Sequence, residues 1–354
     1  LSYRAKLRAS LEPFLPRTRF AEDDESLRHF VERRFGKALF ENLAEALAGG
    51  VYGADPSRLS MAASMRRFLD AEAKHGSVLR GLWAEKEAIQ GEGGARYGLF
   101  VAFAGGMQTL VDALARPLES RLRTSSTITA LECAPSKVWR IGLESGESIE
   151  ADALVIATPA WQSARLLAAA SDRLARLLAA ITYSPAAIVT LAWRDHRLAL
   201  DHPLDASGVV VPRREGLALR AMTWSSSKWP HRAPEGAALL RVFFGGSGGQ
   251  KVVALPERAL LDLALAQSRA LLGRVEPPDF HRVQAYPLAS PCYFLGHERR
   301  VREIEGLAAS LPALALAGNA YRGVGIPEAL RSGKMAAERV ATALRLLERV
   351  EPEG

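Results

Sequence analysis

The sequence predicts an α/β chain of the α+β kind, in which a parallel-type sheet domain is interrupted by an inserted antiparallel sheet and preceded by a helical region. Three observations predict it. Leu314 to Ala317 is a short apolar run, followed by Gly318, Gly323 and Gly325 and then by a helix opening at Pro327, which reads as strand, glycine loop and helix. Ala153 to Ala157 is a second continuous apolar run, as expected for a strand covered on both faces. From about 183 to 300 the texture changes to short strands split by Pro- and Gly-rich turns.

In chain order, residues 1 to about 90 read as helical. Leu27, Phe30, Val31, Phe35, Leu39, Phe40, Leu43 and Leu47 recur near helical period, and Gly49-Gly50 is the expected stop. Ser60 opens a second helix through Met61, Met65, Phe68 and Leu69. Gly91 to Gly94 reads as a loop. Beyond it, Gly105-Gly106 enters a helix with Met107, Leu110, Val111 and Leu114 on one apolar face. Strands are expected over 127–132, 138–143 and 152–159, with the turn at Gly146. The inserted sheet takes 187–193, 208–211, 217–224, 238–244 and 280–286, with a helix over 256–272.

The last strand, loop and helix form a unit suited to something electron-rich. Glycines let bare backbone approach a ligand, and a helix N-terminus favours negative charge. Ser332, Gly333, Ala336 and Ala337 are small enough to let that helix lie close on a sheet. A similar stretch, Gly245-Gly-Ser-Gly-Gly249, mimics a nucleotide-binding turn. Lys251 stands where G-x-G-x-x-G needs glycine, and the next helix is expected only near Pro256, so it reads as a simple turn.

A length of 354 residues suits about two domains with ample core. No apolar run approaches a membrane span, so a soluble or membrane-surface protein is expected. The net charge of +7 is spread as Arg interleaved with acids. Arg28, Arg33 and Arg34 on one helix are the nearest approach to a basic patch, so nucleic acid is not an expected partner. Two cysteines, Cys133 and Cys292, point to a reducing compartment. The seven histidines show no metal-ligand spacing, and neither a Gly-x-Ser-x-Gly elbow nor a Walker loop is present.

The string Ala-Gly-Asn-Ala-Tyr-Arg-Gly-Val-Gly-Ile-Pro (317–327), with Ser-Gly and Ala-Ala on the following helix, resembles the C-terminal flavin motif of the protoporphyrinogen oxidases. The Gly-Gly-Met segment at 105–107 resembles one shared by flavin amine oxidases and protoporphyrinogen oxidases. Segments 49–60, 72–77, 223–230 and 291–297 look like the same family, in the same order. The resemblance covers nearly the whole chain. It implies an FAD-binding dinucleotide-type domain, an inserted substrate-binding sheet and a helical, membrane-facing subdomain. The implied divisions are 1–93 helical, 94–180 and 306–354 cofactor-binding, and 181–305 substrate-binding.

It also implies FAD as cofactor, a porphyrinogen as substrate (protoporphyrinogen IX or coproporphyrinogen III) and molecular oxygen as acceptor. Carried over by position, the cofactor residues are Gly105, Gly106, Met107, Ile128, His297, Gly318, Asn319, Gly323, Val324, Gly325 and Ile326. Ile128 matches a position whose backbone meets the adenine. Gly208, Val210 and Phe243 are the implied substrate contacts, with core packing as the alternative role for each. His297 either polarises the flavin edge or caps a turn, and both readings stand. No catalytic acid or base is implied. The implied location is cytoplasmic, peripheral on the inner face of the cell membrane, with a homodimer as one arrangement.

Three departures from the family pattern matter. Cys292 stands where Gln is usual, and Glu298 where some members carry Trp, which argues against flavin stacking there. No strand–GxGxxG–helix with a following acid is present. The chain therefore reads as the C-terminal three-quarters of such an oxidase, expected by itself to bind FAD weakly and to be inactive. An amine oxidase or carotenoid desaturase, and a non-catalytic porphyrin- or membrane-binding remnant, are the competing readings.

Overall fold

The computed structural model describes residues 1–16, 24–91 and 101–348. Among the described residues there are ten strands: β1 Ile128–Cys133, β2 Trp139–Leu143, β3 Ser148–Ala151, β4 Leu154–Ile156, β5 Tyr183–Trp193, β6 Gly208–Val210, β7 Leu219–Trp224, β8 Ala238–Gly245, β9 Phe280–Pro291 and β10 Leu314–Leu316. The chain divides into two compact units, one of residues 1–120 and 183–292, the other of residues 121–182 and 293–354. The two units meet in sequence at 120, 182 and 292, beside the divisions expected after 93, 180 and 305. Residues 101–120 fall with the inserted sheet, where Arg232 Nη2 donates to the Phe103 carbonyl at 3.4 Å.

The first unit is built on an antiparallel sheet of order β6-β7-β8-β5-β9. β5 and β8 alternate between buried and half-buried residues, the period-two pattern of a sheet with one core face. Ala187, Val189, Leu191 and Trp193 of β5 pack with Leu240, Val242 and Phe244 of β8 and with Leu260, Leu261 and Ala264 of the helix Glu257–Leu272. The last residue of β8 must be glycine for the strand to pass close to β5. Gly245 has φ +114°, and a Cβ there would overlap the Pro185 carbonyl. The segment is a turn, as expected, and a four-residue helix, Gln250–Val253, precedes the expected one, which opens after Pro256.

In the helical part, Ser26 Oγ accepts from His29 N and caps Leu27–Phe35. Gly49 and Gly50 do not stop the next helix, which runs Glu45–Tyr52. Gly53 ends it at φ +58°, with its N–H on the Gly49 carbonyl at 3.1 Å, because the left-handed cap falls there. The helix from Ser60 is likewise broken: Met61–Ser64 ends at Met65, and Arg66–His75 follows and closes at Gly76. Helix Val78–Gly91 takes in the first residue of the expected 91–94 loop, and the others lie outside the described residues.

Arg33 and Arg34 do not form a surface patch. Arg33 bridges Glu25 and Glu72 at 2.7 Å each. Arg34, 1% exposed, pairs with the fully buried Glu12 and with Glu72. The arginines turn inward because Glu25, just ahead of their own helix, and Glu12 and Glu72 from other segments meet them there. Helix Gln108–Ala115 begins after Met107, and its expected apolar face is exposed at Met107, Val111 and Leu114.

In the second unit, β1-β2-β3 form an antiparallel meander, in which β3 was not expected. Trp139 is fully buried and donates to the Pro312 carbonyl at 2.7 Å. β4 pairs in parallel with β10. Its covering on both faces is incomplete: Ile156 is buried while Val155 is 40% exposed, in a ladder that has two strands among the described residues. Among the described residues, no helix is long and apolar enough to cross a membrane.

Candidate functional site

β10, its loop and the helix Ile326–Glu348 assemble as the apolar run and glycines imply. Ala315 and Ala317 pack on Ala336 of the helix. Ser332 Oγ accepts from Gly318 N at 3.0 Å, anchoring the loop where it leaves the strand. Of the four small helix residues, only Ser332 and Ala336 face the sheet. Ala337 is exposed, and a Cβ on Gly333 would meet nothing within 4 Å.

Gly318 and Gly323 have φ of +122° and +119°, where an L side chain is strained. A Cβ on Gly323 would also overlap Glu328 Cγ, and one on Gly325 would overlap the Glu328 carboxylate. The Glu328 side chain, in the first turn of the helix, therefore lies back along the loop. A carboxylate there is what the helix dipole favours. Val324 is half-buried and Ile326 is 50% exposed.

Beneath the loop stand two rings. Tyr293 Oη donates to the Asn319 carbonyl at 2.6 Å and accepts from Gly323 N at 2.8 Å, so one phenol fastens both ends of the turn. Its ring stacks on His297 with centroids 4.1 Å apart and planes at 15°. His297, 1% exposed, places Nε2 3.0 Å from the Tyr321 carbonyl, which makes Nε2–H the donor. In this structure the imidazole holds the loop from below. Tyr293, Ser332 and Glu328 escaped sequence reasoning as site residues. Only the spacing of Tyr293 and His297, four apart, hinted that the two rings would meet.

A cleft of about 920 Å³ opens beside β10, lined by Ile304, Leu314, Leu316, Tyr321, Met335 and Val340, with charged groups on its walls. There Arg322 makes two bonds to Glu305, at 2.9 and 2.7 Å. The Arg322 hydrogen bond outweighs burial and holds the Glu305 carboxyl below its usual range.

Ile128, at the start of β1, pairs with Leu143 in the same unit as the glycine loop. Gly105, Gly106 and Met107 precede helix Gln108–Ala115 in the other unit, where Gly106 has φ +92°. Register there brings the three implied substrate residues onto one face. Val210, Ala221, Phe243, Ile188 and Gln284 form one row across the sheet. Gly208, Thr223, Arg241, Thr190 and Arg282 form the next. The face is the one turned away from the core.

What the loop can hold follows from its shape. Bare glycine backbone, crowded at Gly323 and Gly325 and ahead of a 23-residue helix, suits a flat, electron-rich ring, and the residues present fit a flavin. Among the described residues, no group of His, Cys, Asp and Glu is placed to hold a metal.

A sequence profile described as flavin containing amine oxidoreductase matches residues 1–341. Coproporphyrinogen III oxidase of Bacillus subtilis strain 168 is 30% identical over 355 residues, covering 97% of this chain and 73% of that protein. Mitochondrial protoporphyrinogen oxidase of Nicotiana tabacum is 29% identical over 375 residues, covering 97% and 74%. Among solved structures, one from Exiguobacterium sp. 255-15, described as a candidate protoporphyrinogen oxidase, superposes with a TM-score of 0.82 at 26% identity, over 98% of this chain and 73% of that one. A reduced UDP-galactopyranose mutase, at 15% identity and a TM-score of 0.69 over 97% of this chain and 71% of that one, shares the fold.

Proposed function

The chain belongs to the flavin-containing amine oxidoreductase family, and on that premise we propose that it oxidises a porphyrinogen, protoporphyrinogen IX or coproporphyrinogen III, to the porphyrin. FAD is the cofactor of this reading and molecular oxygen the final acceptor. The observation that carries it is the Gly318–Ile326 loop, held between β10 and a long helix, in a chain similar along 97% of its length to a coproporphyrinogen III oxidase.

A bound FAD supplies the two-electron acceptor. The chain's own work is to bind, orient and exclude water. Gly318, Asn319, Gly323, Val324, Gly325 and Ile326 would hold the cofactor along the loop, braced by His297. Gly105, Gly106, Met107 and Ile128 join them in this reading, and Gly208, Val210 and Phe243 receive the substrate ring. We assign residues 1–93 to a membrane surface on the cytoplasmic side. The exposure of Tyr3, Leu7 and Phe14 at 90%, 62% and 77%, beside Arg4 and Lys6, supports that assignment.

Protein expressed from the complete reading frame and supplied with FAD should convert a colourless porphyrinogen to a fluorescent porphyrin while consuming oxygen. Turnover of neither porphyrinogen, or faster turnover of a polyamine or a carotenoid precursor, would overturn the assignment.

A further inference from the structure

On the sheet face turned from the core stands Arg241 of β8. It is half-buried, with its guanidinium 5.2 Å from the centroid of Phe243. Among the described residues, no carboxylate lies within ion-pair distance of it, whereas Arg33, Arg34, Arg173 and Arg322 each have one. Burial pushes its pKa down, with only Tyr286 acting in the other direction. Leaving a desolvated guanidinium unpaired is costly, and a ligand anion removes that cost.

The surroundings define the anion's carrier. Thr223 and Thr190 flank Arg241 in its row, one on each neighbouring strand, and Arg282 follows beyond Thr190. Two strand spacings separate the arginines, about 10 Å. The adjacent row is apolar at Val210, Ala221, Phe243 and Ile188. An apolar ring on that row would carry its acidic substituents over the arginine row.

We propose that Arg241 binds a carboxylate of the porphyrinogen and makes the site prefer an acid-bearing ring, with Arg282 placed for a second carboxylate. This inference rests on the porphyrinogen reading and adds the residue that reads the substrate's charge. A tetra-acid ring engages both arginines more readily than a di-acid one.

The test uses protein from the complete reading frame and two stable probes, coproporphyrin III and its tetramethyl ester, followed by porphyrin fluorescence anisotropy. Arg241→Gln should weaken coproporphyrin III binding about tenfold or more, as expected for a lost charge-assisted bond, and leave the ester unchanged. Arg241→Lys should recover part of the loss. Equal binding of coproporphyrin III by wild type and Arg241→Gln would overturn the assignment, and so would equal weakening of acid and ester, which marks a structural role. Wild-type protein that binds neither probe would refute both this inference and the porphyrinogen reading.

Discussion

Replacing Glu12 should unfasten much of the helical part of the first unit. Its carboxylate is fully buried and accepts from Arg34 Nε at 2.7 Å, Ser77 Oγ at 2.5 Å, Val78 N at 2.9 Å and Leu79 N at 3.2 Å. Val78 opens the helix Val78–Gly91, so Glu12 caps a helix 66 residues further along the chain. Removing one partner of a buried ion pair costs about 3–5 kcal/mol, and losing a cap about 1 kcal/mol. Glu12→Gln should therefore cost about 3–5 kcal/mol, as should Arg34→Met. The double variant should cost at least about 2 kcal/mol less than their sum, because the two side chains touch and the bond between them is lost only once. Denaturant unfolding at neutral pH, followed by circular dichroism, measures all three. Single costs below about 1 kcal/mol that simply add would refute the reasoning.

The same carboxylate sets an acid limit. Burial by itself would raise the Glu12 pKa, but hydrogen bonds from Ser77, Val78, Arg34 and Leu79 bring it below its ordinary 4.5. A depressed folded value means that the stabilisation is complete above 4.5 and is lost as pH falls through the folded value. Unfolding midpoints taken from pH 7 downward should fall below that point in wild type and fall less steeply in Glu12→Gln. At the loop, Tyr293→Phe should leave Gly323 N–H without its acceptor and weaken FAD binding about tenfold, measured by flavin fluorescence quenching. Gly323→Ala should cost about 1–3 kcal/mol through its positive φ and the overlap with Glu328, seen as a lower melting temperature of the second unit.

The elements that sequence reasoning recovered are those whose signal is local. Leu314–Leu316, the glycines after it and the helix from Ile326 carry their own pattern, and so do the alternating strands β5 and β8. Register placed Gly208, Val210 and Phe243 on one face because period two leaves no other choice once the core face is set. What escaped depends on partners far along the chain. Arg33 and Arg34 look like surface charge until Glu12 and Glu72 arrive beside them. Gly49-Gly50 looks like a stop, yet both glycines sit in open space inside a helix, and Gly53 carries the left-handed turn. Tyr293 is an ordinary aromatic in sequence, and its two loop bonds span 26 and 30 residues.

That phenol has a kinetic consequence. A turn pinned at Asn319 and Gly323 from beneath is expected to keep one shape whether or not anything rests on it. Little ordering is then needed when a ligand arrives, so the entropy of shaping the turn is spent during folding rather than at binding. Substitutions at Tyr293 or at the His297 ring stacked on it should therefore change how long a ligand stays, while leaving the collision that brings it almost untouched.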